Sequence, residues 1–408
     1  MLWSEETVAI LKQVVKEKLD LSVSVTDQQL LELIEQEVFA YPFETYSTAG
    51  QKHQLIMRLF HSFRGLDILQ PLVDNPAVTE IMINRYDQIF IEREGRVSLA
   101  DVKFESKEKL EDVIQAIVAK VNRAVNEANP IVDARLLDGS RVNVVLPPVA
   151  LDGAVMTIRK FPESPLTLRD LMGKGALTEE AASFLIKLVQ AKYNVFIGGG
   201  TGSGKTTFLN ALSQYIPDDE RIITIEDSAE LQIRTVPNLV RLETRNANTE
   251  GKGEISIRDL IRSSLRMRPN RIIVGEVRGA EALDMLQALN TGHDGSLSTG
   301  HANSTTDMLS RLETMVLSGA SLPVDVVRKQ ICSAIDVMIH LQRLRDRSRR
   351  VTEISEVAGI EDGEVKLNRL YEFVETGEDA GGRVVGELRP TGNTLIHTEK
   401  LAMAGIAL

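Results

Sequence analysis

The sequence predicts an α/β protein in which a larger domain with a mostly parallel sheet follows a smaller α+β domain and an N-terminal helical bundle. A complete phosphate-loop motif, GGTGSGKT, occupies residues 199–206 between an apolar strand-like segment and a helix-like segment. Apolar strands alternate with helices over residues 166–360, which is typical of a parallel sheet covered on both faces. Residues 65–160 instead mix short strands with one helix, and Asp138-Gly139 is a strong hairpin signal there.

Local composition predicts the two ends of the chain and the joint between the domains. Apolar residues recur at helical spacing over residues 1–64, which predicts a helical bundle that is either a docking domain or a stabilising appendage. Two prolines within residues 161–165 break both helix and sheet and predict a linker. Residues 361–408 form a C-terminal extension. Its last part, 376–408, carries Gly, Glu and Thr without a clear period, which predicts a loose tail.

The overall composition narrows the class of protein. Of the 408 residues, 43% are hydrophobic but only 4% are aromatic, so aliphatic side chains must fill the cores. A net charge of −11 argues against an extended nucleic-acid surface, and no nucleic-acid partner is expected. The single cysteine, Cys332, excludes a disulfide framework and a multi-cysteine zinc site. No apolar run approaches the roughly 18–20 residues that span a bilayer, so we expect a soluble cytoplasmic protein without a transmembrane segment.

The phosphate loop predicts the binding of ATP or a similar nucleoside triphosphate. Its glycines let the backbone wrap closely around an anion, and the positive end of the next helix faces the phosphates. Lys205 can reach the β- and γ-phosphates, and the hydroxyl of Thr206 can ligate Mg²⁺. The alternative is a glycine-rich turn with an accidental lysine. The predicted binding residues of the loop are Gly199, Gly200, Thr201, Gly202, Ser203, Gly204, Lys205, Thr206 and Thr207.

Two apolar strands that end in acids supply the carboxylates that ATP hydrolysis needs. The segment RIIVGE places Glu276 at a strand end, where it can act as general base or position the attacking water. Gly275 stands where the usual motif has an aspartate, so the metal-side carboxylate must come from elsewhere. The segment IITIED ends in Glu226 and Asp227, which can hold Mg²⁺ through its water shell. The alternatives are a surface glutamate at position 276 and a helix cap at Asp227.

Two Gly-His pairs lie around a short strand in the segment TGHDGSLSTGHANS. Metal ligation is weakly supported, because no cysteine and few acids complete a zinc set. A histidine at the end of a core strand can instead sense the γ-phosphate through a hydrogen bond, and we assign this role to His301. His293 is predicted to lie near the nucleotide in a coupling or orienting role. A structural role for both histidines is the alternative.

Arginines supply the remaining positive charge. The γ-phosphoryl group needs a cation beyond Lys205 in the transition state, often an arginine from a neighbouring domain or subunit. Spacing does not choose among the candidates, which are Arg135, Arg141, Arg159, Arg262, Arg266, Arg268 and Arg278. A separate basic turn at residues 343–349 joins two predicted strands. It either contacts an acidic partner or anionic lipid, or is a solvated turn.

Four blocks in their order resemble the type II/type IV secretion ATPase superfamily. They are GGTGSGKT, the aspartate box IEDSAEL, the atypical Walker B segment IIVGE and the histidine box TGHDGSLSTGHANS. Upstream, ILQPLVDNPAVTEIMIN, VDARLLDGSRVNVVLPPVALDG and MTIRKF are similar to the Tad/Flp pilus-assembly ATPases, often called CpaF. The resemblance covers about residues 51–360. The single cysteine excludes the four-cysteine zinc element of some type II secretion ATPases and favours the Tad and conjugation-like branches.

The resemblance implies a cytoplasmic homohexameric ring whose subunits each have an N-terminal α/β domain and a RecA-like ATPase domain, with nucleotide between them. Members of the superfamily hydrolyse ATP and turn the inner-membrane platform of a pilus or secretion machine. The roles implied for this chain are phosphate and Mg²⁺ binding by Lys205 and Thr206, catalysis by Glu276, phosphate sensing by His301, aspartate-box membership for Glu226 and Asp227, and nucleotide contact by the N-domain arginines Arg141 and Arg159.

Two other classes of function stay open at the level of the sequence. A RecA-like nucleic-acid translocase is allowed by the phosphate loop and the alternating elements, although the negative charge and the absence of an aromatic-basic groove oppose it. A nucleotide-gated scaffold without useful turnover is the other class, and the presence of Glu276 opposes it.

Overall fold

The computed structural model describes residues 3, 5–19, 25–43, 47–93, 95–120, 124–136, 138–161, 164–245, 247 and 252–408. The chain forms two compact units, unit 1 (residues 1–162) and unit 2 (residues 163–408). Their boundary falls within the predicted linker, of which Pro162 and Glu163 lie outside the described residues. In the described ranges, no helix has both the length and the apolar character that crossing a membrane requires.

Three helices form the first part of unit 1: α1 (Glu5–Lys18), α2 (Asp27–Ala40) and α3 (Ala49–Arg64). Capping boxes start α2 and α3, where the hydroxyls of Thr26 and Thr48 accept hydrogen bonds from backbone N–H groups in the first helical turn. The three helices share a small apolar core. Its buried residues are Val8, Leu11, Val15, Leu30, Ile34, Val38, Leu55, Ile56 and Leu59.

A six-stranded antiparallel sheet forms the rest of unit 1. After a short 3-10 turn at Asp67–Leu69, its elements are α4 (Gln70–Asp74), β1 (Val78–Arg85), β2 (Gln88–Arg93), β3 (Arg96–Leu99), α5 (Lys107–Lys120), β4 (Ile131–Arg135), β5 (Arg141–Val145) and β6 (Val155–Arg159). The strand order is β3-β2-β1-β6-β5-β4. The predicted hairpin is confirmed, because β4 pairs with β5 and Asp138 accepts a hydrogen bond from the Ser140 N–H at 2.9 Å. Gly139 takes the positive φ of +91° that this turn requires.

Unit 2 contains the alternating helices and strands. Its elements up to the last parallel strand are α6 (Leu168–Gly173), α7 (Glu179–Gln190), β7 (Val195–Gly199), α8 (Lys205–Ser213), β8 (Ile222–Glu226), β9 (Leu239–Glu243), α9 (Ile257–Ser264), β10 (Arg271–Val274), α10 (Glu281–Leu289), β11 (Leu297–His301), α11 (Thr305–Gly319), α12 (Val324–Ala334) and β12 (Val337–Arg343). Strands β12-β7-β11-β10-β8-β9 are neighbours in this order and run parallel. Val195 and Ile197 of β7 join one apolar cluster and Phe196 joins another, so apolar side chains cover both faces, as predicted.

The predicted loose tail is wrong. Three further elements, β13 (Arg349–Glu361), β14 (Glu364–Glu378) and β15 (Val384–Pro390), extend the sheet as antiparallel strands beside β12. A short helix, α13 (Glu399–Ala404), follows, and Leu401 is buried in the core of unit 2. Much of the surface of β14 and β15 faces solvent and carries charged side chains. The alternation of apolar and polar residues that marks a strand is therefore weak in this part of the sequence.

Candidate nucleotide-binding and catalytic site

The phosphate loop joins the end of β7 to the start of α8. Gly202 and Gly204 have φ angles of +70° and +93°, which L-residues with a Cβ rarely adopt. Gly199 is required by space as well, because a Cβ there would lie 2.4 Å from the carbonyl oxygen of Leu341 on β12. The loop therefore keeps its backbone N–H groups close to the positive end of α8, which is the arrangement that binds phosphate.

Lys205 is buried at the first position of α8, with 7% of its surface exposed. Its ammonium donates hydrogen bonds to the carbonyl oxygens of Gly199 at 3.1 Å and Gly200 at 3.0 Å. Burial lowers the pKa of Lys205, and the carboxylate of Glu276 opposes that shift. A buried cation whose hydrogen bonds go to neutral acceptors such as these carbonyls gains electrostatically from an anion at the loop.

The carboxyl ends of four neighbouring parallel strands bring most of the predicted residues to one edge of the sheet. Strands β7, β11, β10 and β8 lie side by side, and His301, the last residue of β11, pairs with Gly199 at the end of β7. Glu276 follows the end of β10, and Glu226 ends β8. This edge is where ligands bind in open parallel sheets. A cavity of about 520 Å³ opens beside the loop and is lined by Thr201, His301, Asn303 and Arg311 among others.

A chain of polar contacts links Lys205, His301 and Glu276. The ammonium of Lys205 lies 3.3 Å from His301 Nδ1, and His301 Nε2 lies 3.0 Å from Glu276 Oε1. Burial and then the charge of Lys205 lower the pKa of His301, so its imidazole is neutral near pH 7. In the neutral ring Nδ1 accepts from the ammonium and Nε2–H donates to the carboxylate. His301 is thus placed to connect the phosphate loop with the candidate base.

Glu226 is buried, and one of its carboxylate oxygens is bound by the loop that follows β8. Its Oε2 accepts hydrogen bonds from the backbone N–H groups of Glu230 at 2.7 Å and Leu231 at 3.0 Å. Burial raises the pKa of Glu226 to about 7. Its buried Oε1 has no hydrogen-bond partner in the part of the chain that the structure describes.

The packing of Glu226 also explains the glycine in the Walker B segment. A Cβ at Gly275 would lie 2.9 Å from Glu226 Cγ, which is closer than real Cβ atoms approach. An aspartate at 275 would therefore displace the Glu226 side chain. The acid at the end of β8 occupies the space that the missing aspartate leaves.

Asp227 does not cap a helix, since the described residues after it, 228–238, contain no helix. Its carboxylate Oδ2 lies 3.7 Å from Arg278 Nη1, and Thr244 Oγ1 donates to its Oδ1 at 3.4 Å. The helix-cap alternative is therefore wrong, and Asp227 faces Arg278 instead.

The structure does not bring His293 to the phosphate loop. Leu297 and His301 of β11 pair with Val195 and Gly199 of β7, so His293 precedes the amino end of the strand that His301 ends. Its Nδ1 lies 3.0 Å from the carbonyl oxygen of Ala288. The seven residues between the two histidines carry them to opposite edges of the sheet.

The candidate finger arginines Arg141 and Arg159 lie in unit 1. They are direct cross-strand partners on β5 and β6, and Arg135 on β4 pairs with Arg141. Three arginines therefore stand in one row across neighbouring strands. On its other side, Arg159 has Glu80 of β1 as its cross-strand partner.

The basic turn at 343–349 contacts the phosphate loop, which the sequence reasoning missed. Arg349 Nε donates to the carbonyl oxygen of Gly202 at 2.8 Å. On the other side, Arg345 pairs with Glu375 and Glu378 of β14, and Asp346 accepts from the Val384 N–H. The turn is therefore bound within unit 2. This contact could be predicted only from a strand order that places β12 beside β7, and the sequence does not give that order.

The family of type II/IV secretion system proteins matches residues 63–385 of the chain. A putative conjugal transfer protein of Mycobacterium tuberculosis (strain ATCC 25618 / H37Rv) is 36% identical over 297 residues, which cover 71% of this chain and 84% of the relative. The type IV secretion system protein VirB11 of Brucella suis is 34% identical over 303 residues, which cover 68% of this chain and 84% of the relative.

A solved structure is similar in fold. The crystal structure of the pilus retraction motor PilT with bound ADP matches with a TM-score of 0.52 at 18% identity, covering 83% of this chain and 87% of that chain. At this identity the likeness concerns the fold alone. It agrees with the predicted α/β architecture.

Proposed function

Because the chain belongs to the type II/IV secretion system protein family, we propose that it is a cytoplasmic, Mg²⁺-dependent ATPase that powers a pilus or secretion machine. The observation that carries the proposal is the contact chain from Lys205 through His301 to Glu276 beside the phosphate loop. It joins the groups that bind phosphate to a carboxylate that can activate water.

The residues of the loop explain how ATP is held. Loop N–H groups and the N-terminus of α8 bind the phosphate oxygens. Lys205 exchanges the carbonyl oxygens of Gly199 and Gly200 for β- and γ-phosphate oxygens, which supply the negative charge that its buried site lacks. Glu276 takes the proton of the attacking water. His301, which contacts both Lys205 and Glu276, senses the γ-phosphate through a hydrogen bond.

The donor set also fits Mg²⁺. Thr206 lies in the first turn of α8 with its side chain partly exposed, and Glu226 Oε1, which has no hydrogen-bond partner among the described residues, is an acceptor at the carboxyl end of β8 in the same sheet. We propose that the Thr206 hydroxyl binds the ion directly and Glu226 binds it through water. When bound, the ion neutralises charge that develops on the transferred phosphoryl group.

We propose that the chain works as a homohexamer and that the row formed by Arg135, Arg141 and Arg159 supplies the cation for the transition state. The row places three arginines at adjacent positions of neighbouring strands, and a guanidinium can bind phosphate oxygens through two N–H donors. Arg141 and Arg159 keep their proposed role as finger residues. Loss of a finger arginine usually costs about 10³–10⁵ in rate.

The finer proposal is assembly, with or without retraction, of a Tad-like pilus through inner-membrane platform proteins. It rests on the upstream segments quoted above, because these lie outside the four blocks that the whole superfamily shares. A conjugation-type secretion ATPase is the second candidate, favoured by the conjugal transfer relative. A nucleic-acid translocase is opposed by the net charge of −11.

The test is steady-state phosphate release by the full chain and by Glu276→Gln over a range of protein concentrations, with and without Mg²⁺. We expect Mg²⁺-dependent turnover that rises per subunit with concentration and falls at least about 10²-fold in the variant. Turnover that Glu276→Gln leaves unchanged would overturn the site. Strong stimulation by single- or double-stranded DNA with a steep salt dependence would instead support the translocase.

A further inference from the structure

The two oxygens of the Glu276 carboxylate are in different surroundings. Both of its contacts reach Oε1: Arg278 Nε donates at 2.7 Å and His301 Nε2 lies at 3.0 Å. Within the described ranges, Oε2 makes no hydrogen bond. One oxygen is therefore held by two donors, and the other is left to accept a proton.

Arg278 is itself held on two sides. Its backbone N–H donates to Glu281 Oε1 at 2.6 Å, at the start of α10. Its Nη1 lies 3.7 Å from Asp227 Oδ2 while its Nε contacts Glu276. The Glu276 carboxylate is the main reason that the pKa of Arg278 is raised.

A packing role does not account for this arginine. Its side chain is 64% exposed, so it contributes little to the apolar core. Its polar contacts are instead concentrated at the catalytic edge. The planar guanidinium can direct Nε–H to Glu276 and Nη1 toward Asp227 at the same time, which a lysine ammonium cannot do in one geometry.

We propose that Arg278 is a positioning residue for hydrolysis: it fixes Oε1 of Glu276 so that Oε2 faces the attacking water, and Asp227 holds Arg278 in place. This inference rests on the proposed ATPase function. It gives Asp227 a role through Arg278 rather than at the metal ion.

Hydrolysis then begins with proton transfer from the attacking water to Glu276. The water proton passes to Glu276 Oε2 while the water oxygen bonds to the γ-phosphorus. The bond between the γ-phosphorus and the β–γ bridging oxygen breaks, and ADP leaves with that oxygen. The proton then passes from Glu276 to the inorganic phosphate, which restores the carboxylate.

A competing role for Arg278 is direct binding of nucleotide phosphate, and kinetics separate the two. A positioning residue acts on the chemical step, so its loss lowers kcat and leaves KM nearly unchanged. A phosphate-binding residue raises KM and weakens nucleotide binding.

The experiment compares the full-length wild type with Arg278→Ala, Arg278→Lys, Asp227→Asn and the control Arg383→Ala, which removes an exposed arginine outside the candidate site. Measured for each are kcat and KM for Mg-ATP, the Kd of a fluorescent ATP analogue, Tm, and kcat with added guanidinium chloride at low millimolar concentration. The double variant Arg278→Ala/Glu276→Gln completes the set.

We expect Arg278→Ala to lower kcat about 10- to 100-fold with KM and Kd within about threefold of wild type, because a misdirected base costs rate rather than binding. Guanidinium should restore part of kcat in Arg278→Ala and none in the control. Arg278→Lys and Asp227→Asn should lose less, and Arg278→Ala should have no further effect on Glu276→Gln.

Three results would overturn the inference while wild-type turnover stands: unchanged kcat in Arg278→Ala, a loss confined to KM and Kd, or a loss accompanied by a lowered Tm and no rescue by guanidinium. Absence of turnover in the wild type, by contrast, would overturn the proposed function and this inference together.

Discussion

The two edges of the central sheet both carry charged side chains but arrange them differently. At the carboxyl edge, Glu276 and His301 are partly exposed beside the phosphate loop, and their contacts leave a carboxylate oxygen free. At the amino edge, Arg271 is fully buried and binds both oxygens of Glu220, at 2.6 and 2.8 Å. Saturated, buried pairs fix a structure, whereas open and incompletely paired groups can exchange partners with a ligand.

The amino edge is closed further by the C-terminal helix. Lys400 donates to Asp294 Oδ1 at 2.8 Å and to Asp336 Oδ2 at 2.7 Å. Asn194 accepts at Oδ1 from the N–H groups of Gly295 and Ser296. The first half of the histidine box therefore belongs to the hydrogen-bonded group at the amino edge, while its second half reaches the carboxyl edge at His301.

The largest effect on stability is expected from Arg271→Ala, which removes the buried cation of the amino edge. We expect it to lower the free energy of unfolding by about 3–5 kcal/mol, because the buried Glu220 carboxylate keeps only a longer contact, 3.7 Å, to the half-exposed Lys192 among the described residues. Turnover per folded molecule should stay within about twofold, since the pair lies away from the phosphate loop. Urea unfolding together with kcat measures both.

Its controls are Arg266→Ala, which should change the free energy of unfolding by less than about 0.5 kcal/mol, and Arg271→Met/Glu220→Leu, which should recover much of the loss. If Arg271→Ala kept full stability but lost turnover, the amino edge would be functional rather than structural.

The second prediction concerns Glu226. This carboxylate lies at the carboxyl edge but is buried, as the charged groups of the amino edge are. Its pKa rises from 4.5 to about 7 in the folded chain. Between these values the folded state holds a proton that the unfolded state has released, so the free energy of unfolding falls as pH rises from about 4.5 to about 7. We expect this to contribute about 1–3 kcal/mol.

Glu226→Gln should flatten that dependence, because the amide oxygen still accepts from Glu230 and Leu231 but does not titrate. Unfolding is measured at pH 5 and pH 8 with a chelator present. Asp227→Asn, a more exposed neighbour, should keep the wild-type difference between the two pH values. Equal slopes in wild type and Glu226→Gln would show that Glu226 ionises normally.

The smallest expected effect is that of Lys400→Met. The lysine is partly exposed, so we expect about 1 kcal/mol of destabilisation and no more than a twofold change in kcat. The apolar methionine keeps most of the side-chain volume. A large loss of kcat without loss of stability would revive the predicted coupling role of His293, which lies next to Asp294.

Much of the catalytic edge was predictable from sequence. The phosphate loop and Glu276 follow apolar strands and His301 ends one, and parallel strands place such residues at one edge. The superfamily suggested by the four blocks is confirmed, while the Tad-like role remains a proposal. The prediction that His293 lies near the nucleotide did not take strand length into account: His301 ends the five-residue strand β11, and His293 precedes its start.

Other features depend on packing that no local pattern contains. Gly275 is explained only by the Glu226 side chain above it, and Arg349 reaches Gly202 only because β12 lies beside β7. The strands after residue 361 were missed because their surface is charged. The contact between Arg278 and Glu276 joins residues two apart, but its direction toward one oxygen needed the three-dimensional geometry.

The C-terminal strands have a practical consequence for trimming the chain. With β13, β14 and β15 in place, β7 is the fifth of nine strands, so the phosphate loop begins at the end of the central strand of the sheet. A chain shortened at residue 360, the predicted end of the ATPase domain, would lose only the last of the 13 residues of β13 and would expose this long strand as a new edge. Long unpaired edges recruit other chains through their free N–H and C=O groups. The shortened protein would therefore be prone to aggregate, although every residue of the phosphate loop is still present.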